Sequence, residues 1–406
     1  MWLDFAPLVR DRICPPTAPH GHYRSQRSGL NPAYPKTINR NPLMRLEHLE
    51  TGIVYRNPKP YLRAVNAWHP TLAALPSGEL LASFDLGQGP EGLDYRTCLA
   101  RSSDNGQTWS EPVDLFSDAV QPTTNSVRIA CMSDGQLTAM GARLYRSDPE
   151  EGIVNRANHG FVPLDVILLT SDDNGYTWSE PRVIEPPLTG PGFEICHSIV
   201  ELVDGRWLWP TATLMGWDGE LPNGLKAIAF VSHDRGQTWP EHLDLFDDSD
   251  GATHWETSLR QMEDGRIATI TWTLEDESGA AMPTLYRVSV DGTTFSPPQP
   301  TGFLAQTAKL LPLDGDDLLC VYRRDDQPGL WATRAELNGN SWTNHAEIPL
   351  WEGAASGMTG ADKTNELSAL KFGFPSLLRI APDQVLVAFW CCEDTIWNIR
   401  WIRIGI

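Results

Sequence analysis

Ser102-Ser103-Asp104-Asn105-Gly106-Gln107-Thr108-Trp109 is the stretch that decides the fold, because the chain repeats it. Ser171-Asp172-Asp173-Asn174-Gly175-Tyr176-Thr177-Trp178 and Ser232-His233-Asp234-Arg235-Gly236-Gln237-Thr238-Trp239 are near-complete copies. Ser289-Val290-Asp291-Gly292-Thr293-Thr294-Phe295 is a shortened one, and Asn338-Gly339-Asn340-Ser341-Trp342 a more eroded one. Each part suits a tight turn between strands. The Asp accepts hydrogen bonds from turn amides, and the Gly supplies a positive φ without steric cost. Thr favours the outgoing strand, and Trp is a large apolar plug between packed sheets. The motif is therefore read as structural, and self-similarity at a period of tens of residues points to one repetitive architecture.

A second repeat lies between these turns: an apolar strand, a tight turn, and another apolar strand. The turns are Ser77-Gly78, Asp134-Gly135, Asp204-Gly205, Asp264-Gly265, Asp314-Gly315 and Pro382-Asp383. Asp-Gly between alternating apolar runs is a strong hairpin signal. Joined to the first repeat, these hairpins give four-stranded antiparallel units and almost no helical periodicity. Radial repetition of such units around a channel is a β-propeller, here all-β and six-bladed. The last unit ends at Ile399-Arg400-Trp401-Ile402-Arg403-Ile404 and is one strand short, so Gly52 to Arg56 is expected to supply that strand and close the ring. Residues 1–44, rich in Pro, Arg and His, are expected to form an extended arm, and residues 45–406 the propeller.

The totals narrow the function. A net charge of −20 argues against a nucleic-acid groove and an anionic membrane surface. Seven Cys, odd in number and without C-x-x-C spacing, fit buried free thiols in a reducing compartment. No secretory leader is visible and no apolar run approaches the roughly 20 residues that span a bilayer, so a cytoplasmic location is expected. Neither a phosphate-binding loop nor zinc-ligand spacing occurs, so no cofactor and no metal are expected.

With these turns and hairpins the chain resembles the sialidase superfamily, whose members carry the turn as the Asp-box or BNR repeat and fold as six-bladed propellers. The resemblance covers residues 45–406. In that fold the inner strand of each blade starts at the pocket face. This places His69, Asn125 with Arg128, Glu194 with His197, His254 with Glu256, Gln306 with Lys309, and Phe374 near the axis. The loops overhanging the same face add Asp85, Asp94, Arg143, Trp217, Arg323, Arg324, Glu393 and Asp394.

Phe84-Asp85, the Gly87 to Gly92 loop and Asp94 follow the order that leads to the family's acid/base carboxylate, so the resemblance implies that role for Asp94. Glu256-Thr257-Ser258-Leu259-Arg260-Gln261-Met262-Glu263-Asp264-Gly265 is similar to the segment whose leading Glu partners a nucleophilic Tyr. Three expected features are replaced. Trp68-His69-Pro70 stands for Arg-Ile-Pro, Thr271-Trp272-Thr273 for the second carboxylate-binding arginine, and Phe374-Pro375-Ser376 for the Tyr.

Glycoside hydrolysis needs two carboxyl groups flanking one bond, one as acid and one as base or nucleophile. Asp94 and Glu256 are the expected pair, with Glu194 as the substitute for Glu256. His69 and His197 are expected at one position of their repeats, as base or sugar ligand. Asp85, Arg128, Glu194, His254, Arg323, Trp68, Trp390 and Glu393 are expected to contact substrate. The expected partner is an oligosaccharide or glycoconjugate, and the expected activity is exo-acting hydrolysis of a sugar other than sialic acid. Elimination on a uronic acid sugar with a His base, and sugar binding without chemistry, are the alternatives.

Overall fold

The computed structural model describes residues 45–116, 123–146, 148–247, 251–275, 280–354 and 370–406. The arm expected over residues 1–44 lies outside them. Among the described residues every regular element is a strand. After β1 (Glu47–Tyr55), the strands β2 (Asn66–Ala74), β3 (Leu80–Gly87), β4 (Arg96–Ser102) and β5 (Val113–Asp114) pair in that order. The next meander is β6 (Thr123–Cys131), β7 (Leu137–Tyr145), β8 (Leu164–Ser171) and β9 (Arg182–Ile184), joined to the first by a parallel bridge between Arg96 and Asn125. In the third, two short strands, β10 (Gly192–Phe193) and β11 (Val200–Glu201), both pair with β12 (Trp207–Leu214), followed by β13 (Ala227–Ser232) and β14 (Glu241–Phe246). Two regular meanders follow: β15 (Ala252–Gln261), β16 (Ile267–Glu275), β17 (Leu285–Ser289) and β18 (Gln299–Pro300), then β19 (Ala305–Pro312), β20 (Asp317–Arg324), β21 (Leu330–Asn338) and β22 (Ser341–Trp351). The last strands are β23 (Phe372–Ala381), β24 (Gln384–Glu393) and β25 (Ile396–Gly405), and β1 pairs with the free side of β25.

The inner strands stand side by side: β6 beside β2, β2 beside β23, β23 beside β19, β19 beside β15, and β15 beside β12. Sheets that follow one another in this row are packed face to face. This explains why β3, β12 and β13 are buried at every residue, the polar Ser83, Asp85, Thr211 and Thr213 included. The contacts between sheets are apolar clusters, such as Trp207 and Trp209 with Met140, Leu168 and Phe230.

The repeated turn has the expected role with one addition. Asp104 accepts hydrogen bonds from the Thr108 amide at 2.9 Å, the Thr108 hydroxyl at 2.5 Å and the Ser102 hydroxyl at 2.8 Å. Ser102 Oγ in turn accepts from the Gly106 amide at 2.8 Å, which gives the leading Ser of the motif its own purpose. Asp173 and Asp234 repeat the arrangement. Positive φ is shared by two residues, Asn105 at 60° and Gly106 at 87°, and Trp109 Nε1 donates to the Gly106 carbonyl.

The strand expected at Gly52–Arg56 is longer, Glu47–Tyr55, and pairs Thr51 with Ile402 and Gly52 with Trp401. A Cβ on Gly52 would lie 2.6 Å from the indole ring of Trp401, itself buried. The rigid ring has no room to yield, so Gly52→Val is expected to destabilise the protein by about 1–3 kcal/mol. Urea unfolding checks this, and limited proteolysis should show earlier cleavage near residues 45–55.

Candidate active site

The hairpins set the register of the axial residues. In five of them a backbone bond closes the turn, from the amides of Leu75, Met132, Leu202, Met262 and Leu313. The residues six places earlier are His69, Ser126, Cys196, Glu256 and Thr307. Phe374 holds the matching place in β23, two residues before Ser376, where pairing with β24 resumes. His69, Glu256, Thr307 and Phe374 sit in β-bulges with φ of 52°, 49°, 53° and 50°. A left-handed non-Gly residue is costly, and the bulge brings His69, Glu256 and Phe374 to one cavity, while Thr307 Oγ1 accepts from the Phe374 amide.

A cavity of about 680 Å³ opens there. Its polar lining includes His69, Tyr95, Ser126, Arg128, Glu194, Cys196 and Glu256, and its aromatic lining includes Trp68, Trp255, Trp390, Trp397 and Phe374. Among the described residues no group of three or more His, Cys, Asp or Glu is placed to hold a metal ion.

On one wall Asp85, fully buried, accepts from the hydroxyls of Tyr95 at 2.8 Å, Thr97 at 2.6 Å and Ser126 at 2.8 Å, and from Arg128 at 3.0 Å. Burial opposes its charge, but Arg128, His69 and Thr97 hold its pKa at about 2. An ionised carboxylate only accepts, so the Tyr95 hydroxyl proton is committed to Asp85. The Tyr95 oxygen then accepts from Nδ1–H of His69, with which it is in contact. Burial, with help from Arg128, lowers the pKa of His69, so the ring is neutral and Nε2 is left as an acceptor.

Glu194 and Glu256 are neighbours on the same lining. The Glu256 amide donates to both carboxylate oxygens of Glu194, at 3.3 and 3.1 Å. Burial first, and the neighbouring Glu256 second, push the pKa of Glu194 up to about 8. Glu194 is therefore protonated at neutral pH. Glu256 Oε2 is buried without a hydrogen-bond partner among the described residues, an acceptor held in reserve. Lys309, whose pKa burial lowers, lies beneath the pair and donates to the Cys196 carbonyl at 3.0 Å.

Several expected residues lie elsewhere. Asp94 does not line the cavity; its carboxylate accepts from the Gln88 amide at 3.0 and 3.2 Å and closes the Gly-rich loop. His197 is one place out of step with His69, since five residues and not six separate it from the turn-closing amide of Leu202. Its buried ring lies 3.3 Å from Lys309 Nζ, and burial and that cation push its pKa well down. His254 packs on Phe246, with ring centroids 5.1 Å apart. Arg323 donates to Gln306 at 2.8 Å and to the Phe372 carbonyl at 2.9 Å. Glu393 is tied to Arg400 at 2.8 Å. Asp85 supports the site from behind, whereas Trp68, Arg128, Glu194 and Trp390 reach the cavity. Tyr95, Cys196, Trp255 and Trp397 were not expected. The six-residue offset from the hairpin singles out Cys196, and Trp255 is its neighbour's equivalent just ahead of Glu256.

A family model described as a BNR repeat-like domain matches residues 152–377. A sialidase of Paraclostridium sordellii is 29% identical over 154 residues, 36% of this chain and 32% of that protein. The chain thus spans about a third of that relative's length. Among solved structures, a Dyadobacter fermentans DSM 18053 protein of unknown function superimposes with a TM-score of 0.68 and 19% identity, over 89% of this chain and 99% of that one. An alpha-L-arabinanase of Penicillium chrysogenum, complexed with arabinobiose, gives 0.61 and 15%, over 88% and 98%. These two likenesses are of fold.

Two predictions test the electrostatics. Asp85→Asn leaves the buried Arg128 without its counter-charge and should cost about 3–5 kcal/mol, measured by denaturant unfolding. Glu194, with its pKa raised from 4.5 to about 8, binds a proton in the folded state that the unfolded chain has released. Stability should therefore fall as pH rises between those values. Glu194→Gln removes this dependence, so its Tm should exceed that of the parent near pH 8 and approach it near pH 4, by scanning calorimetry.

Proposed function

We propose, for a chain that belongs to the family of BNR repeat-like domains, a six-bladed β-propeller whose axial cavity hydrolyses a glycosidic bond. The observation that carries this reading is the Glu194–Glu256 pair, one member held protonated at neutral pH inside the cavity. Glu194 delivers its proton to the glycosidic oxygen as the bond to the anomeric carbon breaks. Glu256 supplies the opposing charge, either accepting the proton of the attacking water or bonding the anomeric carbon before water replaces it. Water is consumed, and Glu194 regains its proton at the end of the cycle. Trp68, Trp255, Trp390 and Trp397 offer flat apolar faces for a pyranose or furanose ring, and His69 Nε2 accepts from a sugar hydroxyl.

The arginines favour a neutral sugar. Arg128 is engaged by Asp85 at 3.0 Å and Arg156 by Glu91 at 3.1 Å, so each cavity guanidinium already has its carboxylate. An acidic sugar would have to compete for them. The sialidase and the arabinanase that the chain is similar to both act on glycans by name, which supports the class of substrate and leaves the sugar open.

The neutral His69 beside Tyr95 supports a second reading, elimination on a uronate with His69 as the base. A panel of neutral and acidic glycosides distinguishes them. For hydrolysis, Glu194→Gln and Glu256→Gln should each lower kcat by at least about a hundredfold, with Asp94→Asn near the parent. The parent's rate should also decline as pH rises through about 8, where Glu194 loses its proton. Loss of activity in Asp94→Asn alone would sink this assignment, and an unsaturated, ultraviolet-absorbing product would establish elimination.

A further inference from the structure

The cavity is chemically divided. The side described above carries the carboxyl pair and the Trp faces; the other is a wall of Ile153, Val154, Phe161, Leu164, Phe193 and Leu214. Ile153, Val154 and Phe161 belong to the segment 148–163 that joins β7 to β8, and the other three to β8, β10 and β12. Ala142, Leu144 and Val162 form an apolar cluster that Ile153 and Leu164 extend, and Leu144 also reaches the cavity.

The segment is built as a fixed wall. Val154 and Phe161 form an antiparallel bridge, and Phe161 bridges onward to Gly216. The Phe161 amide donates to Met215 O at 2.8 Å and the Val162 amide to Ile153 O at 3.0 Å. From the other side Glu91 accepts from the Ile153 amide at 2.8 Å and from Arg156 at 3.1 Å. Asn155 and Asn158 fasten the segment to the Trp217 carbonyl at 2.9 and 3.0 Å. The amides and Asn side chains named here are satisfied within the protein, and Glu91 and Arg156, which also line the cavity, are paired with each other, so the wall between them presents apolar side chains.

A second sugar ring against this wall would bury hydroxyl groups without partners, at a cost of about 1–3 kcal/mol for each. An aryl or alkyl group would displace water from the same surface favourably. We infer that the wall is a subsite for a hydrophobic aglycone, so that the substrate is a glycoside with an aryl or alkyl leaving group. The inference rests on the hydrolase reading for the bond cleaved, and on the wall alone for the group bound. It fits the continuity of wall and carboxyl pair, since Glu194 directly follows Phe193 of the wall.

The test uses the full chain and two measurements. Calorimetric titration with 1-naphthol, which carries no sugar, should show saturable binding in the parent and in Glu194→Gln. Ile153→Asn, on the half-buried segment, should weaken it by about tenfold or more with little change in Tm. Turnover is then compared for naphthyl glycosides and disaccharides of the same sugars. The naphthyl-to-disaccharide ratio of kcat/KM should fall by about tenfold from parent to Ile153→Asn, a comparison from which the intrinsic reactivity of the leaving groups cancels. Naphthol binding without turnover of any glycoside keeps the apolar subsite and overturns the hydrolase reading. Turnover with no naphthol binding, or with binding that Ile153→Asn leaves unchanged, overturns the subsite. Should Ile153→Asn misfold, Leu164→Gln serves in its place under the same criteria.

Discussion

A single buried carboxylate, Asp85, joins the first two sheets and orders the chemistry between them. It stands at the end of β3 and receives donors from β4 and β6 as well as from Tyr95. Burying an ionised carboxyl is tolerable only where donors and a counter-charge compensate it, and here three hydroxyls and Arg128 do so. Because the three hydroxyl protons are committed to Asp85, none of them is available to His69. The tautomer of His69 follows from that commitment two residues removed from any substrate, as a consequence of the fold's own polar accounting.

Much of this architecture was legible in the sequence because it is written in turns. The Ser-x-Asp-x-Gly-x-Thr-Trp motif fixes the outer hairpin of a unit, and the Asp-Gly turns fix the inner one, so strand order and direction follow from local chemistry. Gly52 to Arg56 was readable as a recruited strand because β25 would otherwise expose an unpaired edge. Its extension back to Glu47 was not readable, since Glu47, His48 and Glu50 are polar and carry no apolar alternation, and Glu50 is held by Arg403 of β25, far away in sequence. The bulges were also hidden. Nothing in Trp68-His69-Pro70 or Trp255-Glu256-Thr257 announces a positive φ, because that conformation is imposed by packing around the centre and not by residue preference.

The site was legible in part, for a related reason. Glu256 stands in the bulge of β15 at the six-residue offset, and Glu194 lies two residues before Cys196, which is at the same offset, so register leads to both. Asp94 was drawn in by motif order, yet Gly92 and Gly87 fold its loop so that the carboxylate caps the Gln88 amide. A short acceptor following glycines does this commonly, and the turn chemistry outweighs the resemblance. His197 differs from His69 by one place, and in a structure with a fixed offset one place is enough to send a side chain to Lys309 and away from the cavity. The distance from the hairpin, counted residue by residue, is thus the more reliable guide to this centre than similarity of residue type.

The acid and the apolar wall are not separate devices. Phe193, Glu194 and Ile195 are consecutive and all three line the cavity, so on the proposed reading the surface offered to an aglycone also desolvates the carboxyl that would protonate its oxygen. Desolvation is the larger cause of Glu194's raised pKa and the neighbouring Glu256 the smaller. A polar wall would admit water, lower that pKa and leave the acid ionised at the pH where it is needed. On the hydrolase reading proposed above, selectivity for the leaving group and readiness to protonate it draw on adjoining side chains, Phe193, Glu194 and Ile195.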